Sequence, residues 1–219
     1  MGCCASRTDK RNIELLELEV IEPAIRDLKL YSLSCIKFTN TVNKHSKNFV
    51  IENSSMDYIL KELNLNRTRT RDLFAVGLLE SIFSLKKISC FIAVLCNGTI
   101  SEKINVLLSS YDLVEKNVLS SSEIEEIFVD LINVHCIHIP EFVSMLNHNN
   151  KDLVSYISEL RLNSAHIISY YVKSIMGDSK EIPRIDFELS FWKKQFECLL
   201  LPSKFRIQAF KISNGNSLH

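Results

Sequence analysis

The chain is poor in the two residues that interrupt helices, with five glycines and four prolines among 219 residues. That scarcity favours a helical fold with few long linkers. A charge imbalance is also missing: Lys plus Arg and Asp plus Glu are equal at 26, so no basic field attracts nucleic acid. No apolar run reaches the ~18 residues of a membrane-spanning helix, and Ile88 to Cys96 is too short. The seven cysteines lack paired spacing outside the first residues, which implies a reducing compartment and buried thiols. G-x-S-x-G, P-loop, H-E-x-x-H and dinucleotide signatures are absent. Cys136 and its neighbouring histidines are adjacent in the chain, not a positioned nucleophile and base. No enzyme and no cofactor is expected.

What is present is an ordinary globular composition, 46% hydrophobic and 24% charged, and a length that suits one compact domain or two small lobes. Its most organised stretch is Glu102 to Leu131. Ile104, Leu107, Leu108 and Tyr111 fall at i, i+3, i+4 and i+7, one face of a helix. Ile124, Ile127, Phe128 and Leu131 repeat that stripe. Twelve residues, Asp112 to Glu123, separate them, with acids at both ends and Leu119 at the eighth place.

This stretch resembles an EF-hand, the helix–loop–helix calcium module. The junction before it, FIAVLCNGTISEKINVLLSSYDL, resembles the neuronal calcium sensor, calcineurin B-like and calaxin groups. The resemblance implies an all-α fold of two EF-hand-like lobes, with short β-bridges between loops. It divides the chain into a flexible start (1–12), an N-terminal lobe (13–98), a C-terminal lobe (99–201) and a tail (202–219).

The loop has lost its ligands. Calcium needs oxygens at places 1, 3, 5, 7, 9 and 12. Asp112 and Glu123 supply the ends, Val118 offers a carbonyl at 7, and Ser120 can hold a water at 9. Val114 at 3 has no side-chain oxygen, and Lys116 at 5 repels the ion. For unit charges ~4 Å apart that repulsion is roughly 4 kcal/mol at an effective dielectric of about 20. Asn117 replaces the turn glycine, which is tolerable because Asn enters the left-handed region. The expectation is a helix pair that keeps the turn without the cage, with no metal bound.

Three more loops resemble damaged hands. Phe49 to Leu63 places Ile51 at the eighth position and Lys44 at the first. A helix from Asp72 through Phe83 precedes a cut-down loop with Ile88 in the bridging place. Counting from Asp178 puts Ile185 at the eighth position of a fourth loop with Pro183 in the turn. Leu119 should then oppose Ile185, and Ile51 should oppose Ile88.

The first residues carry a separate signal. Met1-Gly2-Cys3-Cys4-Ala5-Ser6 fits the N-myristoylation pattern, with Gly2 as acceptor. Cys3 and Cys4 are candidates for palmitoylation, the second anchor that stable attachment requires. Arg7, Lys10 and Arg11 add charge for anionic headgroups. Elsewhere, a helical break is expected near Pro23, and His135, Cys136 and His138 lack the second pair a zinc site needs. Ser203 to His219 is expected as a loosely attached end, with Phe205, Ile207 and Phe210 against Lys204, Arg206 and Lys211.

The functional expectation is an acylated adaptor on the cytoplasmic face of the plasma or ciliary membrane, holding an amphipathic helix of a protein partner without calcium. Its alternatives are a calcium sensor or regulatory subunit with one weak site, and a structural component of a cilium or the cortex.

Overall fold

A computed structural model of the chain describes residues 10–76, 82–111, 117–148 and 150–213. It is predominantly α-helical with two small antiparallel strand pairs. A helical arm opens the chain as α1 (Lys10–Leu16), a π turn (Glu17–Ile21) and α2 (Glu22–Arg26). Lys29, at φ 58°, ends the arm. Next come α3 (Cys35–His45), β1 (Val50–Glu52), α4 (Asn53–Glu62), α5 (Arg67–Ala75), β2 (Ile82–Ser84) and α6 (Leu85–Leu95). The second half continues with α7 (Ile100–Tyr111), β3 (Val118–Ser120), α8 (Ser121–Asn133), a second π turn (Val134–His138) and α9 (Ile139–Leu146). The chain closes with α10 (Lys151–Met176), β4 (Glu181–Pro183), α11 (Arg184–Ser190), α12 (Lys194–Glu197), a 3₁₀ turn (Cys198–Leu200) and α13 (Pro202–Ser213).

The strands repeat one local design. β1 pairs with β2 so that Ile51 faces Phe83, and β3 pairs with β4 so that Leu119 faces Ile182. All four central residues are buried. Each is followed two residues later by the first residue of a helix: Asn53, Leu85, Ser121 and Arg184. The expected partners are therefore corrected in both pairs. Ile88 lies inside α6, and Ile185 sits exposed on α11. The apolar run ending in Phe83 reads as helix because three strand residues are too few to display alternation. Its helix stops at Ala75, and Ile82 and Phe83 belong to β2.

Helix ends follow their caps. Thr99 Oγ1 accepts from the Glu102 amide while the Glu102 carboxylate accepts from the Thr99 amide at 2.7 Å. Ser120 and Glu123 form the same reciprocal box at the start of α8. Before α7, a Cβ on Gly98 would meet Cys35 Sγ at 2.4 Å, so this turn has room only for glycine.

Pro23 does not break the first arm. Helix continues through it because the preceding turn is widened: the Glu22 amide donates to the Glu17 carbonyl, five residues back. The same device recurs before Pro140, where the Ile139 amide donates to the Val134 carbonyl. A proline ring clashes with the carbonyl four residues earlier in a regular α-helix, and one π turn moves that carbonyl aside. The second case joins α8 and α9 into a 26-residue helix, Ser121–Leu146, long and apolar enough by composition to cross a membrane. Sixty-one per cent of its most apolar window is buried inside the molecule, as in the central helix of a core. Phe128, Leu131, Ile132, Phe142 and Val143 are among its buried residues.

One hydrophobic cluster runs through both strand-paired halves. α6 packs on α7 and α8, α8 on α10, and α13 on α10. The last segment is thus a docked helix rather than a loose end: Phe205, Arg206, Ala209 and Ile212 all face the core. Residues 214–219 lie outside the described part.

Candidate functional site: a groove beside a buried ion pair

The first and last helical segments meet through charge. Glu17, in the first π turn, is fully buried, and Arg206 of α13 is 1% exposed. Arg206 Nε donates to Glu17 Oε1 at 2.7 Å and Nη2 to Oε2 at 2.6 Å, a bidentate pair. The Tyr156 hydroxyl of α10 donates to the same Oε1 at 2.7 Å. Arg206 Nη1 has no hydrogen-bond partner. Burial works against the guanidinium charge, and the Glu17 carboxylate overrides it, holding Arg206 above its ordinary range. Such a pair costs desolvation to form, but removing one partner is far worse because the other charge is left buried.

The second π turn supports the same place from the other side. His135 is fully buried, its ring 4.4 Å from that of Phe205. Its Nε2–H donates to the Leu199 carbonyl at 2.8 Å, which fixes the tautomer and leaves Nδ1 unpartnered. Burial, reinforced by the Arg206 charge, lowers its pKa to about 3. The Lys103 ammonium donates to the next carbonyl, Leu200. The 3₁₀ turn that leads into α13 is therefore held by two buried side chains.

Between this turn and the opening arm lies a cavity of 680 Å³. Leu18, Tyr31, Leu201, Pro202 and Ile207 form its apolar surface, and Glu22, Arg26 and Lys204 supply its charges. Arg26 Nη2 donates to Glu22 Oε1 at 2.5 Å.

A second polar cluster sits between the halves. The Tyr111 hydroxyl donates to Asp130 Oδ2 at 2.7 Å, and Lys87 Nζ donates to the Val76 carbonyl at 2.6 Å. Burial pushes Asp130 up and Lys87 down. His138, nearby on the second π turn, is held at about 3 by burial and then by the Lys87 charge.

Comparison with family models, with curated proteins and with solved structures finds no match. The site therefore rests on geometry alone.

Of the residues singled out in the sequence, Gly2, Cys3 and Cys4 lie outside the described residues, as do Asp112, Val114 and Lys116. Val118 is exposed in β3 opposite Pro183. Ser120 and Glu123 are brought together, but as a helix cap: Glu123 Oε2 accepts from the Ser120 amide at 2.8 Å and its hydroxyl at 2.7 Å. Among the described residues no group of three or more His, Cys, Asp or Glu side chains is placed to hold a metal ion.

Sequence reasoning missed Glu17, Tyr156, His135 as a core residue, and Arg206. The sequence pattern groups Arg206 with Lys204 and Lys211. One signal was available: Phe205, Ala209 and Ile212 make the buried stripe of α13, and position 206 borders it at i+1 and i−3. Nothing local marks its partner 189 residues away.

Proposed function

We propose that this chain is a membrane-anchored, EF-hand-like adaptor that binds an amphipathic helix of a protein partner without calcium. The observation that carries the reading is the repeated unit, in which a buried strand residue is followed two residues later by a helix, four times and in two antiparallel pairs. In a calcium loop the third helical residue is the bidentate acid. Here that place holds Ser55, Lys87, Glu123 and Asp186. Glu123 serves the Ser120 cap, and Lys87 is tied to the Val76 carbonyl. The scaffold is retained by apolar contacts, so a metal is not required to keep it closed.

A partner surface is available on α11 and the turn after it. Ile185, Leu189 and Trp192 lie at i, i+4 and i+7 and are each more than half exposed, a spacing that matches the anchors of helix-to-helix recognition. Trp192 is the chain's single tryptophan, and tryptophan is enriched among residues that dominate binding energy. Gly2, Cys3 and Cys4 supply the tether in this reading.

The test is capture of membrane proteins by the full chain in calcium and in chelator, compared with Leu189→Asp and Gly2→Ala. The same partner should be held in both buffers, lost with Leu189→Asp, and bound off the membrane by Gly2→Ala. Capture that needs calcium would favour the second reading, a regulatory subunit with one weak site, for which the twelve-residue stretch from Asp112 to Glu123, acidic at both ends, is the motive.

A further inference from the structure

The cavity between the opening arm and α13 has a chemical polarity that the adaptor reading does not use. Its volume of 680 Å³ falls within the about 300–1,000 Å³ of small-molecule sites. Two faces are apolar: Leu18 from the arm with Tyr31 from the turn just after it, and Leu201, Pro202 and Ile207 from the other side.

The charges around it do not cancel. Glu22 is neutralised by Arg26 at 2.5 Å, and behind the wall Glu17 is neutralised by Arg206 at 2.6 Å. Lys204 is left: its side chain is exposed, and among the described residues it forms no ion pair. It stands in the first turn of the twelve-residue helix α13. Leu201, just before that helix, has no side-chain oxygen to cap it, and the first turn contains no acid. The amides of Ser203 and Lys204 occupy the turn where no intrahelical acceptor exists, and the helix dipole places positive potential there. An apolar cavity therefore ends in one ammonium and an uncapped helix start.

We propose that this cavity binds a free long-chain carboxylate. Its head group accepts from the Ser203 and Lys204 amides and pairs with Lys204 Nζ, while the hydrocarbon lies against Leu18, Tyr31 and Ile207. A neutral chain would leave the cationic mouth unpaired. A phosphate or nucleotide would leave most of the lining unmatched. The site is independent of the α11 surface, and either assignment stands if the other fails.

The test is calorimetric titration of dodecanoate, below its micelle concentration, into the full chain carrying Gly2→Ala, so that an acyl group on the chain itself does not compete. Carboxyl-labelled dodecanoate followed by NMR gives a second readout. Saturable one-to-one binding is expected, with a shifted carboxyl resonance. Lys204→Glu should weaken it roughly tenfold, the equivalent of one charged hydrogen bond. Leu18 is 61% exposed, so Leu18→Ser should fold normally and still weaken binding several-fold. Dodecanol should bind at least about tenfold more weakly than dodecanoate. The proposal is overturned by absence of saturable binding, by equal affinity for dodecanol, or by both variants binding as the parent does. It is also overturned if only phosphatidylserine vesicles bind, since that would make the mouth a membrane contact.

Discussion

The middle of the molecule and its two ends are held by opposite kinds of interaction. In the middle, Ile51 against Phe83 and Leu119 against Ile182 join neighbouring units through apolar contact and a few backbone bonds. At the ends, the opening arm is joined to α13 by Glu17 and Arg206, two charges with almost no access to water. Apolar joints can be repeated with little regard for the exact side chain, as isoleucine, phenylalanine and leucine all serve at the strand centres. A buried ion pair is a single, exclusive match. The middle should therefore tolerate substitution gradually, and the ends should fail abruptly.

The largest expected effect tests that contrast directly. Glu17→Ala leaves Arg206 buried and unpaired and should cost about 3–5 kcal/mol in urea unfolding. Replacing Glu17 and Arg206 together by methionine, with Tyr156→Phe so that no hydroxyl is left buried without its acceptor, should recover most of the loss, because the desolvation penalties vanish. If the triple variant is no better than Glu17→Ala, the pair is not the exclusive match described here. Next come the strand centres. Ile51→Ala and Leu119→Ala should each cost about 2–4 kcal/mol, whereas Ile185→Ala, on an exposed position, should stay within about 0.5 kcal/mol. A large loss at Ile185 would restore the pairing that the register excludes.

Burial of His138, held at about 3, adds a pH dependence between the halves, and burial of His135 adds one at the ends. The folded pKa of His135, about 3, lies below the ordinary histidine value, so the unfolded chain binds the proton first. Stability is full above about pH 6.5 and falls as pH drops from there towards about 3. At pH 5 the loss from His135 is about 2 kcal/mol. His135→Gln should remove about half of the slope of the melting-temperature profile between neutral pH and pH 5, His138 carrying the rest, and an unchanged slope would show that other groups carry it. The smallest effect belongs to the cap of α8, where Ser120→Ala should cost about 1 kcal/mol.

Much of the helical framework was legible because its signals are local. The stripe Ile104, Leu107 and Leu108 is buried along α7, and Ile124, Ile127, Phe128 and Leu131 are buried along α8. The start of α7 is local in the same way, since Thr99 and Glu102 cap each other from three residues apart. Of the short strands, β1 and β3 were legible through Ile51 and Leu119, while their partners were misplaced at Ile88 and Ile185. Counting the fourth loop from Asp178 ignores that Pro183, paired with Val118, closes the strand and that Arg184 already begins a helix. Pro23 misled because a proline announces a break while a π turn does not announce itself. The candidate site was least legible of all. Glu17 and Arg206 are ordinary charged letters in helical segments, and only the folded chain places one against the other.

In the proposed reading, apolar joints hold the strand-paired units together and no cation is needed. The most direct test is calorimetry of the purified full chain with millimolar calcium against chelator, read as heat of binding and as melting temperature. No heat and an unchanged melting temperature are predicted. Saturable heat together with a rise in melting temperature, both abolished by Glu123→Gln, would contradict it.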